Sequence, residues 1–513
     1  MAFFESMLTL VLVAIVFLQV SRRLSIPYPT MLAMAGVAVA ALPWTPDLLI
    51  DPQLALALFI APALLDAAYD MPPRDLRRNW RPLLALAAMA VLLTTAAVAW
   101  MGMAFWGMPL AAAIALGAIV APPDAAAASA MLGRFNLPRR TVSVLKGESL
   151  LNDGVALLIF STSVGMASGA QSQAGFLAEI AFAAPGGVLL GLLFGKIYMM
   201  MKPYLSGTLG GTLFEFVTTF GVWVIAEHLH VSAVLTVVAY AMALARWSPD
   251  QQTPRDRILS YSVWEVTVFM LNVLAFLLMG LQARVILLQL PQSELWSALG
   301  FAGGVFAMVV VVRFAWVLLY NRTTHWISSR HGLRPSPGIS TGIVISWCGM
   351  RGLVTLATAL ALPASFPHRD TIQLTALVVV LGTLVIQGLT LGPLIRLLKF
   401  EPDDSFDREL KATRLTLINA ALSDIEERRD IAGHDLRKMY QADRSMIEQD
   451  QHPRAASDIN DLKRQSIVEK RGRLSAMRRS GEIADDVYHA LEQELDWAEL
   501  AASPPDRFEI IEG

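Results

Sequence analysis

A short polar run interrupts an otherwise apolar stretch: Lys146-Gly147-Glu148-Ser149-Leu150-Leu151-Asn152-Asp153-Gly154. On a helix, residues four apart share a face, which pairs Glu148 with Asn152 and Ser149 with Asp153. One turn then presents a carboxylate, a hydroxyl and an amide together. These hard oxygen donors suit a small dehydrated alkali cation, or a proton in its place. A helix start capped by Glu148 and Ser149 is the competing explanation. It does not reach Asp153, roughly a turn and a half further in.

Other charges sit where the surrounding chain is apolar. Asp124 follows Pro122 and Pro123 in mid-stretch, and two prolines remove two N–H donors and break a helix. Non-helical backbone within a bilayer survives only when buried in protein or lining a polar cavity. Arg313 lies inside another apolar run, and an unpaired buried arginine is costly, so a partner is expected and Glu148 is the choice. Arg351 falls in Gly349-Met350-Arg351-Gly352, where paired glycines weaken a helix. Further acids within or near such runs are Asp66, Glu179, Glu215, Glu227 and Glu265, and Lys196 is a third internal base. Each charge at a bilayer centre costs about 3 kcal/mol on insertion scales, so a chain that keeps several has a use for them.

The elements that position these groups are read from composition. Of 513 residues, 55% are apolar and only 16% charged, with mean hydropathy +0.51. The charge is unevenly spread: residues 401–513 hold 17 Lys+Arg and 26 Asp+Glu, more than half of the total. The chain reads as a membrane body over 1–400 and an aqueous helical tail over 401–513. Thirteen runs are long enough to cross a bilayer: about 3–20, 28–42, 54–69, 83–106, 109–132, 148–168, 176–201, 212–229, 231–246, 261–283, 296–320, 341–362 and 371–398. The eighth and ninth nearly touch at Glu227-His228-Leu229-His230, so their separation is the least secure. The first run lacks the basic leader and Ala-x-Ala site of a cleaved signal. Nineteen Lys and Arg residues fall in alternate loops, against Arg284 and Arg369 in the others. By the positive-inside rule the N-terminus is outside and the tail cytoplasmic. The spans divide as six, a linker and six, which makes the interrupted fifth and twelfth equivalent, the pattern of a transporter site at a repeat interface.

Together these stretches resemble the monovalent cation:proton antiporters of the NhaP and sodium–hydrogen exchanger type. The resemblance rests on Leu64-Leu65-Asp66-Ala67-Ala68-Tyr69, Pro122-Pro123-Asp124, Gly147 to Asp153, Arg313 and Gly349-Met350-Arg351-Gly352, and covers the first 400 residues. It implies an all-α inverted-repeat fold of about 13 transmembrane helices with crossed broken helices 5 and 12, assembled as a homodimer in the cell (inner) membrane. By the same resemblance Asp153 binds either cation or proton. Asp124 and Ser149 complete that site, Asn152 hydrogen-bonds nearby, and Asp66 contributes indirectly. Glu148 with Arg313 forms a structural ion pair, and Arg351 steadies the broken twelfth helix. The sequence departs from archaeal relatives in having Pro123 before Asp124, where they carry Thr. A ligand hydroxyl is thereby lost, although a backbone carbonyl there is still able to serve.

The expected activity is electroneutral exchange of sodium or lithium for protons by alternating access, with Asn152 standing where electrogenic relatives carry a second Asp. Potassium/proton exchange is the alternative, because oxygen ligands alone do not fix ion size. A channel, or a sensor acting through the tail, is a more distant one. No Ser/His or His-rich metal constellation and no Gly-rich phosphate loop is present, so neither an enzyme nor a cofactor is expected. Net charge of −2 and pI about 6.5 argue against nucleic-acid binding. The single cysteine, Cys348, has no intrachain partner. In the tail, the basic stretch Lys463–Arg479 is placed to touch anionic lipid or acidic tail segments, and the tail is expected to regulate or to stabilise a dimer.

Overall fold

The computed structural model describes residues 2–24, 26–40, 54, 56–71, 73–124, 128, 137–167, 173–247, 252–289, 291–331, 338–400, 403–426, 428, 430–449, 454–480 and 482–502. Among the described residues every regular element is a helix. The chain separates into two units between Pro402 and Asp403.

The first unit holds α1 (Ala2–Leu24), α2 (Tyr28–Ala40), α3 (Leu56–Tyr69), the short α4 (Pro73–Arg78), α5 (Trp80–Trp106) and α6 (Leu110–Val120). It continues with α7 (Arg139–Ala167), α8 (Gln173–Leu205), α9 (Leu209–His228), α10 (Ala233–Trp247), α11 (Pro254–Gln289) and α12 (Gln292–His331). The half-helices α13 (Ile339–Trp347) and α14 (Leu353–Leu360) and the long α15 (Arg369–Leu398) complete it. Among the described residues, six helices of this unit are long and apolar enough to cross a membrane. α11 and α12 have 36 and 40 residues, well beyond the roughly 20 that a bilayer requires.

Small residues set how closely the helices pack, as expected where van der Waals contact replaces a hydrophobic driving force. α2 crosses α11 at Gly36 and Gly280, where a β-carbon on Gly280 would come within 2.7 Å of the Gly36 Cα. α5 and α6 pack at Gly117, where a β-carbon would meet the Thr95 backbone at 2.6 Å. Among the described residues, π-helical turns open α3 at Leu56–Ile60 and interrupt α5 at Ala85–Met89 and α15 at Thr383–Gln387, and the latter two turn carbonyls toward neighbours. The Ala85 carbonyl accepts from Trp316 Nε1 at 2.9 Å, and that of Leu384 accepts from Thr30 Oγ1 at 2.8 Å.

The eighth and ninth runs are two helices, α9 and α10, with His230 between them in left-handed conformation at φ 54°. Glu227, Glu265 and Lys196 are exposed on helix surfaces and not buried as the sequence reading had them, and the side chain of Glu179 lies outside the described residues.

In the second unit, α16 (Ser405–Asp424) pairs with α17 (Ile431–Glu448), and α18 (Arg454–Ser480) with α19 (Asp485–Ala502). Asp430 caps α17 by accepting from the Gly433 N–H at 3.1 Å. Arg471 on α18 bridges Asp496 at 2.7 Å and Glu499 at 2.6 Å on α19, and these carboxylates raise its guanidinium above the usual arginine value. Of the two partners foreseen for the basic stretch, acidic tail residues therefore engage this arginine.

Candidate functional site

Glu148 and Ser149 do not open a helix. α7 begins at Arg139, which places Glu148 some two and a half turns inside and removes the capping explanation. Glu148 is 1% and Arg313 3% exposed, and they meet in a two-pronged pair. Nη1 donates to Oε1 at 2.5 Å and Nη2 to Oε2 at 3.0 Å. Arg313 also donates from Nε (3.3 Å) and Nη2 (3.0 Å) to the Ile345 carbonyl. One guanidinium therefore ties α12 to α7 and α13, the planar fork that a carboxylate matches.

Two stretches of non-helical backbone meet beside this pair. α6 ends at Val120 and the chain runs through Ala121-Pro122-Pro123-Asp124 without helix; α13 and α14 are separated by residues 348–352. They are joined directly, the Asp124 N–H donating to the Met350 carbonyl at 2.7 Å. Each then answers the helix end of the other. Arg351, 1% exposed, donates to the last carbonyls of the α6 side, Val120 at 3.1 Å and Ala121 at 3.2 Å, and also to the Gly349 carbonyl. Asp124 accepts from the first N–H of α14, that of Leu353, at 3.2 Å. A cation at a helix C-terminus and an anion at an N-terminus are the favourable signs for both dipoles. The Val120, Ala121 and Met350 carbonyls and the Asp124 and Leu353 N–H groups are thus paired across the crossing.

Both glycines of the twelfth span are needed at this crossing. A β-carbon on Gly352 would overlap the Asp124 carboxylate, and one on Gly349 would overlap the Arg313 side chain. The Arg351 N–H is held by Thr383 Oγ1 at 2.9 Å, at the start of the α15 π-turn.

Asn152 is fully buried and donates from Nδ2 to the Pro123 carbonyl at 3.1 Å, while its Oδ1 has no hydrogen-bond partner among the described residues. The carbonyl foreseen as a substitute ligand is thus in use by Asn152, with its second lone pair remaining. Asp153 is 6% exposed, takes no hydrogen bond among the described residues and lies within the electrostatic field of Asp124. Ser149 is half-buried one turn before it on the same face. Asp66 is half-buried on α3, whose neighbouring Leu64 and Leu65 share a core with Leu150 and Ala357. Asp124 and Arg351 make bonds across the crossing, Asn152 bonds Pro123, and Glu148 bonds Arg313, with Asp153 next to Asn152 on α7. Ser149 and Asp66 occupy adjoining helices' faces. Among the described residues no group of three His, Cys, Asp or Glu is arranged to hold a resident metal ion.

A second buried ion pair lies outside this cluster, and the sequence reading had counted its lysine with the loops. Lys202, at the end of α8, is 4% exposed and bonds Glu215 Oε1 of α9 at 2.5 Å. Tyr198 donates to the same oxygen at 2.8 Å, while Ser260 (2.5 Å) and Trp264 (3.2 Å) from α11 donate to Oε2. The available signal was Lys202 six residues after Lys196 on the same helix, with an internal acid soon after the turn.

The family model described as "Sodium/hydrogen exchanger, transmembrane" matches residues 7–397. An uncharacterised Na+/H+ exchanger of Mycobacterium tuberculosis is 29% identical over 509 residues, 94% of this chain and 93% of that protein. The low-affinity Na+/H+ antiporter NhaS1 of Synechocystis is 29% identical over 71% of this chain and 68% of its own length. Among solved structures, that of the sodium proton antiporter MjNhaP1 from Methanocaldococcus jannaschii covers 78% of this chain and 99% of its own, with TM-score 0.59 at 16% identity, a likeness of fold.

Proposed function

The chain belongs to the transmembrane sodium/hydrogen exchanger family, and we propose that it exchanges sodium or lithium for protons, one for one, by alternating access, the two ions competing for Asp153. It is a multi-pass membrane protein and its relatives are named as cation/proton transporters. The observation that carries the finer reading is the charge at the crossing. Glu148 cancels Arg313 through a direct bond, and Asp124 and Arg351 are committed to opposite helix ends. One acid is left over. Asp153 is buried, with the Asp124 carboxyl as its electrostatic neighbour and no hydrogen-bond donor among the described residues, so a proton or a monovalent cation neutralises the whole group. A neutral core crosses a bilayer far more cheaply than one with a bare charge.

In this reading Asp153 is the shared ligand. Asp124 and Ser149 add oxygens, the Pro123 carbonyl a further one, and Asn152 holds that carbonyl in place. Asp66 acts at longer range from α3, Glu148–Arg313 locks α7 to α12, and Arg351 keeps the two breaks crossed. Sodium is favoured because it is named for NhaS1 and for two antiporters of Bacillus, whose names add potassium, lithium and rubidium. The protein is proposed to sit in the cell membrane as a homodimer, N-terminus outside and tail cytoplasmic, with the tail as a regulatory or dimer-stabilising unit. Removing residues 402–513 then alters the pH response or the oligomeric state; no change in either refutes the role of the tail. For the transport reading the test is pH-driven exchange in proteoliposomes with each alkali ion. Wild type is expected to exchange sodium and lithium, and Asp153→Asn to exchange neither. Retained exchange in Asp153→Asn overturns the assignment.

A further inference from the structure

Gln387 closes the π-turn of α15, and such turns recur at functional sites. It is 1% exposed, and neither its Nε2 nor its Oε1 has a hydrogen-bond partner among the described residues. Both atoms lack accessible surface, so a water has no room beside them and only a movement of protein groups satisfies them. Buried amides are almost always paired, and an orphaned one calls for an explanation. The residues around Gln387 show what it faces. One turn before it, Thr383 Oγ1 accepts from the Arg351 N–H at 2.9 Å; one turn after it, Thr390 Oγ1 accepts from Trp347 Nε1 at 2.9 Å. Next to it, a β-carbon on Gly388 would stand 3.7 Å from the Met350 sulfur. α15 is therefore pinned to both edges of the α13–α14 break, at Trp347 and Arg351, and Gln387 lies between the pins.

Neither pin donates to the amide, because the Thr383 hydroxyl proton is spent on the Val380 carbonyl and that of Thr390 on the Ile386 carbonyl. The break itself is a run of peptide groups, each with a donor and an acceptor, and a glutamine amide matches both. In the described arrangement these groups are engaged elsewhere, the Gly349 carbonyl by Arg351 and the Met350 carbonyl by the Asp124 N–H. We propose that Gln387 is a positioning residue for the conformational step of exchange: when the break shifts against α15, its amide takes peptide groups of residues 348–350 and stabilises the second arrangement. The orphaned amide raises the energy of the described arrangement and the bond made on shifting lowers that of the other, so the two are brought closer together. One such bond is worth about fivefold in the balance between them. The proposal rests on alternating access and not on which ions are carried. Cys348, the single cysteine of the chain, sits in the break and is 2% exposed, so its reactivity reports the shift.

The test is the rate at which N-ethylmaleimide labels Cys348 in the full-length protein in proteoliposomes, read together with the unfolding temperature. Wild type is expected to label slowly while folded. Gln387→Met, close in size and without the amide, is expected to label at least fivefold more slowly. It is also expected to unfold at the same or a higher temperature, since it removes an unpaired group from the described arrangement. Ile386→Met, at an exposed neighbour, is expected to label as wild type does. An amide with a purely structural role gives the opposite result, faster labelling and a lower unfolding temperature in Gln387→Met, and that overturns the proposal. Equal labelling of wild type and Gln387→Met overturns it too, because the amide then finds no partner in either arrangement. So does a Cys348 that labels only on unfolding. Labelling needs neither a sodium nor a pH gradient, so a failure of the exchange reading and a failure of this one are seen separately.

Discussion

The charge balance at the crossing makes a prediction about voltage. Glu148, Asp124 and Asp153 contribute three negative charges, Arg313 and Arg351 two positive ones, which leaves a deficit that one monovalent ion fills. In the exchange proposed above, one proton inward accompanies one sodium outward, and no net charge is expected to move. Moving one elementary charge through 100 mV is worth about 2.3 kcal/mol. An exchanger of two protons per cation would therefore shift its equilibrium sodium gradient by nearly 50-fold when a 100 mV diffusion potential is imposed, at about 1.4 kcal/mol per tenfold. This protein is expected to show no shift. The same count sets the pH dependence. If one carboxylate binds either ion, protons displace sodium as pH falls, and the apparent sodium KM rises about tenfold per pH unit in the acidic limb. The sign is loss of activity on acidification at fixed sodium. Sodium uptake into proteoliposomes, read with a pH-sensitive dye at clamped voltages and several pH values, measures both quantities. A voltage-dependent end-point, or a slope of two decades per unit from a second competing carboxylate such as Asp66, refutes the argument.

Three further outcomes follow from named contacts. Glu148→Leu or Arg313→Met alone is expected to cost about 3–5 kcal/mol, because each leaves a buried charge unpaired. The double change Glu148→Leu with Arg313→Met is expected to cost less than the worse single one; additive costs in detergent unfolding refute the pairing. Gly352→Ala is expected to abolish exchange in a protein that still reaches the membrane, since its β-carbon claims the space of the Asp124 carboxylate. Normal exchange rates in that variant would show that the crossing is not held as described. Lys202→Met is expected to lower stability by about 3–5 kcal/mol by stranding Glu215, yet to leave apparent sodium affinity in the surviving protein unchanged. A changed affinity would bring that pair into the transport site.

Glu148 and Arg313 were paired from sequence alone because a lone arginine in lipid demands a partner and few acids lie at its depth. Lys202 gives no such signal, since it sits at a helix end and reads as a loop base, although α9 and α11 fold over it and bury it with Glu215. Conversely, Glu227 and Glu265 lie in or beside apolar runs but face outward, because hydropathy averages over all sides of a helix. α7 starts at Arg139, nine residues before the apolar run at 148–168, because hydropathy marks the edge of the apolar run and not of the helix.

What the sequence determined by itself was the material and its interruptions: apolar helices, a charged helical tail, prolines at 122–123, glycines at 349 and 352, and acids too costly to keep without purpose. Periodicity and transfer energies are local properties, so they can be read along the chain. What only the tertiary structure decided was reciprocity. Arg351 answers the end of α6 and Asp124 the start of α14, across more than 200 residues, and Asn152 reaches the Pro123 carbonyl between them. Such pairings depend on how the broken segments cross, and no spacing along one strand encodes the angle at which another meets it.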